Sequence, residues 1–198
     1  MKTLDRFKDA ITRKYRQSFT KQITQLGQSY LEEKERAIVR DYAATSSNFV
    51  PADQTLYSAV KPGQYDQAYI PIGVHEKIGG KGDFPNPGEL FCASLAACLD
   101  SCIRLISTRM GVELTELSVA VEGVVDIRAT LRLTQDVPVG FKSLKINVLL
   151  EAHHDISQDI LDAIVKAAEH SCVILQTLKS QPSIDLEVRP TSSNAEAA

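Results

Sequence analysis

Four cysteines, Cys92, Cys98, Cys102 and Cys172, are the residues of this chain best suited to covalent chemistry. Three of them fall within "NPGELFCASLAACLDSC", Asn86 to Cys102, an apolar run with helical character, and the fourth lies far downstream. A free cysteine packs as a small hydrophobe, so burial alone accounts for thiols of this kind. A thiolate is a nucleophile, so one of them is equally a candidate reagent.

Cys98 sits about eleven residues inside its helix, roughly 16 Å from the start at 1.5 Å per residue. The field of a helix end fades within its first turn. Burial raises the pKa of a thiol, so Cys98 is inert unless a cation or a hydrogen-bond donor reaches it from another segment. Cys102 is one turn further along the same face, and Cys92 lies on a different one. A Cys98–Cys102 bond on an intact helix is possible in distance and poor in geometry.

Other chemistries find less support. Cys98 and Cys102 with His153 or His154 would be a conceivable zinc set, but no Cys-x-x-Cys pair or second ligand cluster accompanies them, and neither metal nor cofactor is expected. His75 and His170 read as strand-edge and helix-surface residues, although His170 is two before Cys172. "IGGKGDF" lacks the Gly-Lys-Ser/Thr run that completes a phosphate loop, and there is no Gly-x-Ser-x-Gly nucleophile elbow.

The elements that position these thiols follow from periodicity and punctuation. Asn86 can cap a helix, Pro87 suits its first position and Glu89 can reach back to the Asn86 amide. That helix is expected to run to about Met110, stop at Gly111 and, being apolar on all sides, sit centrally and covered on most sides. Asp100 and Arg104 are spaced to pair on its least buried face. Before it, "RAIVRDYAAT", "TLYSAV" and "AYIPIGVHE" read as strands. After it, "LSVAVEGVVDI", "ATLRLTQ" and "SLKINVLLEA" read as antiparallel strands, with "DVPVGF" joining the last two. Asp155 or Ser157 then caps a second helix, with Ile160, Leu161, Ile164, Val165 and Ala168 facing inward, which leads to Cys172. "SIDLEV" reads as a last strand, and 190–198 as a disordered tail. This order is α+β.

An N-terminal helical arm, residues 1–33, carries the stripe Leu4, Phe7, Ile11, Tyr15, Phe19, Ile23, Leu26 and Tyr30, too narrow to form a core alone. The main domain is expected over 34–189. Over residues 1–31 seven Lys/Arg stand against two Asp, while the whole chain of 198 residues carries a net charge of −3. With 43% hydrophobic and 24% charged residues, the composition is that of an ordinary globular protein and favours a small-molecule or protein partner over nucleic acid. The N-terminus lacks the apolar core of a signal peptide, and the run Leu90 to Leu99 is expected to be too short to span a bilayer. The default setting is therefore cytoplasmic and reducing, with no membrane partner.

"NPGELFCASLAAC" resembles the first motif of the OsmC/Ohr superfamily, the osmotically inducible and organic-hydroperoxide-resistance proteins, and "AAEHSCVILQTL" resembles the second. The resemblance covers about residues 34 to 188. It implies an OsmC-like fold, a long central helix wrapped by antiparallel sheets in an intertwined homodimer with active sites at the subunit interface. It also implies that Cys98 is the peroxidatic cysteine and Cys172 the resolving one, with Arg40, or Arg36 second, as the activating arginine and Phe91, Leu95 and Cys102 against the substrate. Three features depart from the peroxidases. Gly88 stands where they carry a glutamate, Glu89 beside it points about 100° away around the helix, and Val173 stands where they commonly carry proline. The activity implied is a thiol-dependent peroxidase that reduces organic hydroperoxides at the expense of a thiol or dithiol reductant. The alternative is a non-enzymatic dimer of the same fold that binds an apolar ligand or partner in its interface pocket.

Overall fold

The computed structural model of the chain describes residues 16–63 and 68–188. The first half of the expected helical stripe, Leu4 to Tyr15, and the tail 190–198 lie outside the described residues. Helix α1, Arg16–Glu32, carries the rest of that stripe, with Phe19, Ile23 and Leu26 half-buried and Tyr30 exposed. It leads through a 3-10 turn, Lys34–Ala37, into an extended stretch and then strand β1, Ala43–Thr45. Strands β2, Tyr57–Pro62, and β3, Ile70–Gly73, complete a three-stranded antiparallel sheet in the order β1-β2-β3. The strand expected over "RAIVRDYAAT" is thus reduced to its end, since only Ala43 to Thr45 find ladder partners, on Val60 to Pro62.

Helix α2, Pro87–Arg109, starts as its sequence requires. Asn86 Oδ1 accepts from the Glu89 amide at 3.1 Å, and the Glu89 carboxylate accepts from the Asn86 amide at 2.8 Å. Two otherwise orphaned amides are satisfied in this way. The helix stops where Gly111 takes a left-handed φ of +72°, which glycine adopts without steric cost. Arg104 pairs with Asp100, with its Nε 2.7 Å from a carboxylate oxygen.

The long strands β4, Leu114–Val125, and β5, Phe141–Ala152, form an antiparallel hairpin sheet on one side of α2. Alternate residues, Leu117, Val119 and Val121 on β4 and Leu144, Ile146, Val148 and Leu150 on β5, turn toward the core. The expected strand "ATLRLTQ" is instead a short helix, α3, Ile127–Thr130, followed by a turn. Asp126 ends β4 by accepting from the Arg128 amide and gripping its guanidinium at 2.9 and 2.6 Å, which bends the chain out of the sheet. This pair holds the Asp126 carboxyl down at about 2.

Helix α4, Gln158–Ser171, covers the core from the other side with Leu161, Ile164 and Ala168. Ser157 occupies its cap position without a side-chain cap bond. Cys172 is a single extended residue, φ −74° and ψ 106°, and a further helix α5, Val173–Ser180, follows at once. The expected strand "SIDLEV" forms no ladder among the described residues, and Ile184, Leu186 and Val188 are exposed. A strand exists only where an edge receives its backbone groups, and among the described residues none does.

The core is one cluster: Leu95, Leu99 and Ile103 of α2, Val112, Leu161, Ile164 and Ala168 of α4, and Cys172. Only this stripe of α2 is buried, so a single chain covers less of the helix than its all-round apolar character demands. At 23 residues α2 as a whole is long and apolar enough to cross a membrane by length and composition. In this fold that apolar character supplies the core stripe.

Candidate active site

Cys172 comes to Cys98 because α4 lies along α2 and ends beside its middle turns. The chain then bends at Cys172, and α5 begins against the Cys98 sulfur. Three interactions fix the bend. The Gln176 amide donates to the Cys172 carbonyl at 2.9 Å, the Gln176 side chain donates to the Glu169 carbonyl at 2.8 Å, and Lys179 reaches the Glu169 carboxylate at 2.7 Å. Gln176 thus satisfies a carbonyl in the last turn of α4 that would otherwise lack a partner.

The consequence for Cys98 is electrostatic. Burial pushes its thiol up, but the Ile174 amide, the Cys172 thiol, the Val173 amide and the Cys102 thiol, in that order, outweigh it and bring the thiol below its ordinary value. Cys98 is remote from its own helix start and sits at the start of another. The first amides of a helix are unpaired donors at the positive end of its dipole, the setting in which thiolates form. Cys172 and Cys102 move the opposite way. Burial lifts Cys172 to about 11 and, with the negative charge of Cys98, raises Cys102. Of the three thiols, Cys98 is therefore the first to give up its proton as the pH rises.

Cys172 is fully buried, whereas Cys98 and Cys102 are partly accessible. All four cysteines are free thiols. Cys92 is on another face of α2, where its sulfur, with the Phe141 ring, crowds Gly123. A Cβ there would come within 2.4 Å of the ring and 3.2 Å of the sulfur. Among the described residues no group of three or more Cys, His, Asp or Glu is arranged to hold a metal. His153, His154 and His170 are exposed, and His75 accepts from the Lys77 amide at 3.0 Å.

The residues expected against the substrate divide. Cys102 adjoins Cys98. Phe91, two turns earlier on the same face, stacks on Phe141 with ring centroids 4.9 Å apart. Leu95, expected against the substrate, is wholly buried in the core of the single chain. Arg40 is exposed in the extended stretch before β1, and Arg36 pairs with Glu33 at 3.5 Å. Among the described residues no cation contributes to the shift of Cys98. Gly88 has Asn86 Oδ1 only 3.1 Å from where a Cβ would stand, so a side chain there would crowd the cap.

A separate cleft of about 1150 Å³ opens between the start of α2, the loop after β3 and the far end of the β4–β5 hairpin. Cys92, Val121, Val125 and Phe141 wall it, with Lys77 and Lys142 also lining it, and Cys98 is not part of it.

The donors that lower Cys98 were hidden from the sequence. "CVILQTL" reads as an apolar turn, and cysteine is not a residue that announces a helix cap. The available signal was Val173, Ile174 and Leu178, spaced as on a helix face, with a basic Lys179 in the last turn.

An α+β fold that carries an activated thiol on a capped central helix, against a second cysteine from a downstream helix, defines a class of thiol-centred proteins. The chain belongs to the OsmC-like protein family, whose model matches residues 80–187, more than half of its length. It is similar to an uncharacterized protein of Bacillus subtilis (strain 168), YmaD, with 26% identity over 119 residues that span 59% of this chain and 75% of that one. The fold is similar to that of an OsmC-like protein from Mycoplasma pneumoniae, with TM-score 0.56 and 15% identity over 72% of this chain and 89% of that one. An organic hydroperoxide resistance protein from Elizabethkingia anophelis has a similar fold, with TM-score 0.52 and 17% identity over 72% and 90%. At these identities the solved structures establish the fold.

Proposed function

We propose that this protein is a thiol-dependent peroxidase of organic hydroperoxides, working in the cytoplasm as a homodimer. The observation that carries the proposal is the Cys98 thiol at the amino end of α5 with the Cys172 thiol beside it. The Cys98 thiolate attacks a peroxide oxygen and the O–O bond breaks. An S–O bond forms to the OH oxygen, which leaves Cys98 as its sulfenic acid, and the departing alkoxide takes a proton to become the alcohol. The Cys172 thiol then condenses with the sulfenic acid, forming the S–S bond and releasing water. An external dithiol restores both cysteines by exchange, becoming a disulfide itself.

The dimer is supported by what one chain leaves uncovered. The face of α2 carrying Ala93, Ala97 and Ser101 is exposed, as are Ile38, Val39 and Tyr42 before β1 and the alternating Ile184, Leu186 and Val188. Arg40 follows Val39 directly, so a partner seated on that stretch would carry Arg40 toward an active site at the interface, where it would act as the activating cation. Sedimentation at micromolar concentration should show the dimer, and a stable monomer would overturn it.

The test of the chemistry is mass spectrometry of cysteine states after one equivalent of an organic hydroperoxide. Wild type should give a Cys98–Cys172 disulfide. Cys172→Ser should stop at a Cys98 sulfenic or over-oxidised state after one turnover, and Cys98→Ser should consume nothing. Cys98 left unmodified in wild type would overturn the reading.

One observation favours the second reading, a non-enzymatic dimer that binds an apolar ligand. The large cleft lined by Val121, Val125 and Phe141 does not contain Cys98. Ligand binding that is undiminished in Cys98→Ser, together with an unreactive wild type, would select it.

A further inference from the structure

We propose that the cleft at the start of α2 is a binding site for an aliphatic carboxylate, its chain lying against Val121, Val124, Val125 and Phe141 and its carboxylate held by Lys77 and Lys142. The proposal deepens the second reading, on whose cleft it rests, and holds equally if Cys98 turns over peroxide, since none of Cys98, Cys102 and Cys172 lines the cleft. At about 1150 Å³ the space is ample for a small organic ligand, and pockets for such ligands are mostly apolar with a few placed polar groups. Val124 and Val125 line it and are exposed, so a chain laid there would take apolar surface out of water. The Phe141 ring, stacked on Phe91 with centroids 4.9 Å apart, is a fixed part of the wall.

The hairpin sets charge beside that wall. Val124 opposes Ser143 and Val125 opposes Phe141, so the register steps over Lys142. A bulge of this kind re-aims a side chain. Phe141 and Lys142, neighbours that a regular strand would send to opposite faces, accordingly both line the cleft. Lys77 joins them from the loop after β3, and among the described residues neither lysine is held in an ion pair. The two carboxylates that also line the cleft are already engaged. Glu89 accepts from the Asn86 amide at 2.8 Å, and Asp126 is gripped by Arg128, with Lys142 adding a weaker pull on it. Two uncommitted ammonium groups are thus left for an occupant, and a negative head group complements them. A dianionic phosphate would meet more repulsion from Glu89 and Asp126 than a monoanion does, which selects the carboxylate.

The test is calorimetric titration of the full chain with decanoate and with decanol, beside alkylation of Cys92, whose half-buried thiol lines the cleft. Decanoate should bind at one site per chain, about tenfold more tightly than decanol, and about three- to fourfold more tightly for each methylene added from octanoate. Lys77→Met with Lys142→Met, both at exposed positions, should bring decanoate down to the affinity of decanol and leave decanol unchanged. Saturating decanoate should slow the alkylation of Cys92, and Cys98→Ser should keep both the binding and the protection. Equal affinity for decanoate and decanol in wild type, or decanoate binding untouched by the two lysine substitutions, would overturn the proposal. Cys92 left unprotected by bound decanoate would put the ligand elsewhere and overturn it too, as would loss of binding in Cys98→Ser, which would place the acid at the thiol site. A Cys92 shielded without ligand, in a protein that takes up no decanoate, would make a second copy of the chain the occupant and also overturn the proposal. A wild type that binds decanoate as expected but consumes no hydroperoxide would support the site and defeat the peroxidase reading alone.

Discussion

Cys98 and Ile174 belong to different helices, and the Ile174 amide is the strongest of the groups that stabilise the Cys98 thiolate. In the proposed peroxidase the nucleophile is thus borne by one rigid element and activated by the open end of another. Whatever fixes the angle between α4 and α5 also fixes the reactivity of Cys98, which places the control of the chemistry on residues that never touch it.

Val173→Pro tests the amides directly. Val173 is the first residue of α5 and largely exposed, and the residue before it, Cys172, already has the extended backbone that a following proline demands. The substitution should leave the helix in place and delete one donor. The Cys98 midpoint should rise by about half to one pH unit. An unchanged alkylation profile would show that the Val173 amide contributes nothing.

Arg40→Met separates the two sources of activation. The α5 amides act within one chain, whereas Arg40 is proposed to act across the dimer. Its removal should raise the Cys98 midpoint at concentrations where the dimer holds and have no effect after dilution to single chains, while the Val173→Pro shift persists in both. A midpoint unmoved by Arg40→Met at every concentration would eliminate Arg40.

The first motif was legible because its signals are local. Asn86, Pro87 and Glu89 specify a cap within four positions, and Gly111 marks the stop. Strands β4 and β5 were legible from their alternation, for the same reason. Three things were not. "ATLRLTQ" alternates as a strand does, but the Asp126–Arg128 grip turns it into a helix and a bend, and no propensity registers that grip. "SIDLEV" also alternates, and nothing in a sequence tells which edge will receive it. The activation of Cys98 depends on a bend at Cys172 secured by Gln176 and Glu169, a tertiary contact between residues seven apart that neither helical nor strand periodicity records. The requirement for a donor from another segment could be deduced from burial, but the identity of that donor could not.

Gln176 is where that bend can be loosened. Gln176→Leu keeps the bulk and removes the bond to the Glu169 carbonyl, at a cost of roughly 0.5 to 1.5 kcal/mol in unfolding free energy by urea titration. The Cys98 midpoint should rise with it, because the amides of α5 move as a unit. Lys179→Ala, which breaks only the exposed and solvent-screened pair with Glu169, should leave stability nearly unchanged. If Lys179→Ala moves the midpoint more than Gln176→Leu does, the charged pair and not the side-chain cap sets the angle.

Cys172 supplies a prediction in the alkaline range. Burial first, then the hydrogen bond and charge of Cys98, lift its thiol to about 11, above the value of about 8.5 expected in the unfolded chain. Between these two values the unfolded state has released the proton and the folded state still holds it. Stability must therefore fall as pH rises through that window, since unfolding free energy decreases wherever the unfolded chain binds fewer protons. Cys98 has the opposite sign, because its folded value is lowered. Its contribution is complete once the pH exceeds the unfolded value and adds no slope beyond it, so among the three thiols the decline above about 9 belongs to Cys172 and Cys102, both raised by burial. Unfolding by urea from pH 7 to 11 should show this decline in wild type. In Cys172→Ala the protein should be less stable at pH 7, through the cavity left in the core, but the alkaline slope should be shallower by the share that Cys172 contributes. An equal slope in both proteins would mean that the Cys172 proton is not held by the fold, and that the thiol beside Cys98 is freer to ionise, and to compete for peroxide, than its burial implies.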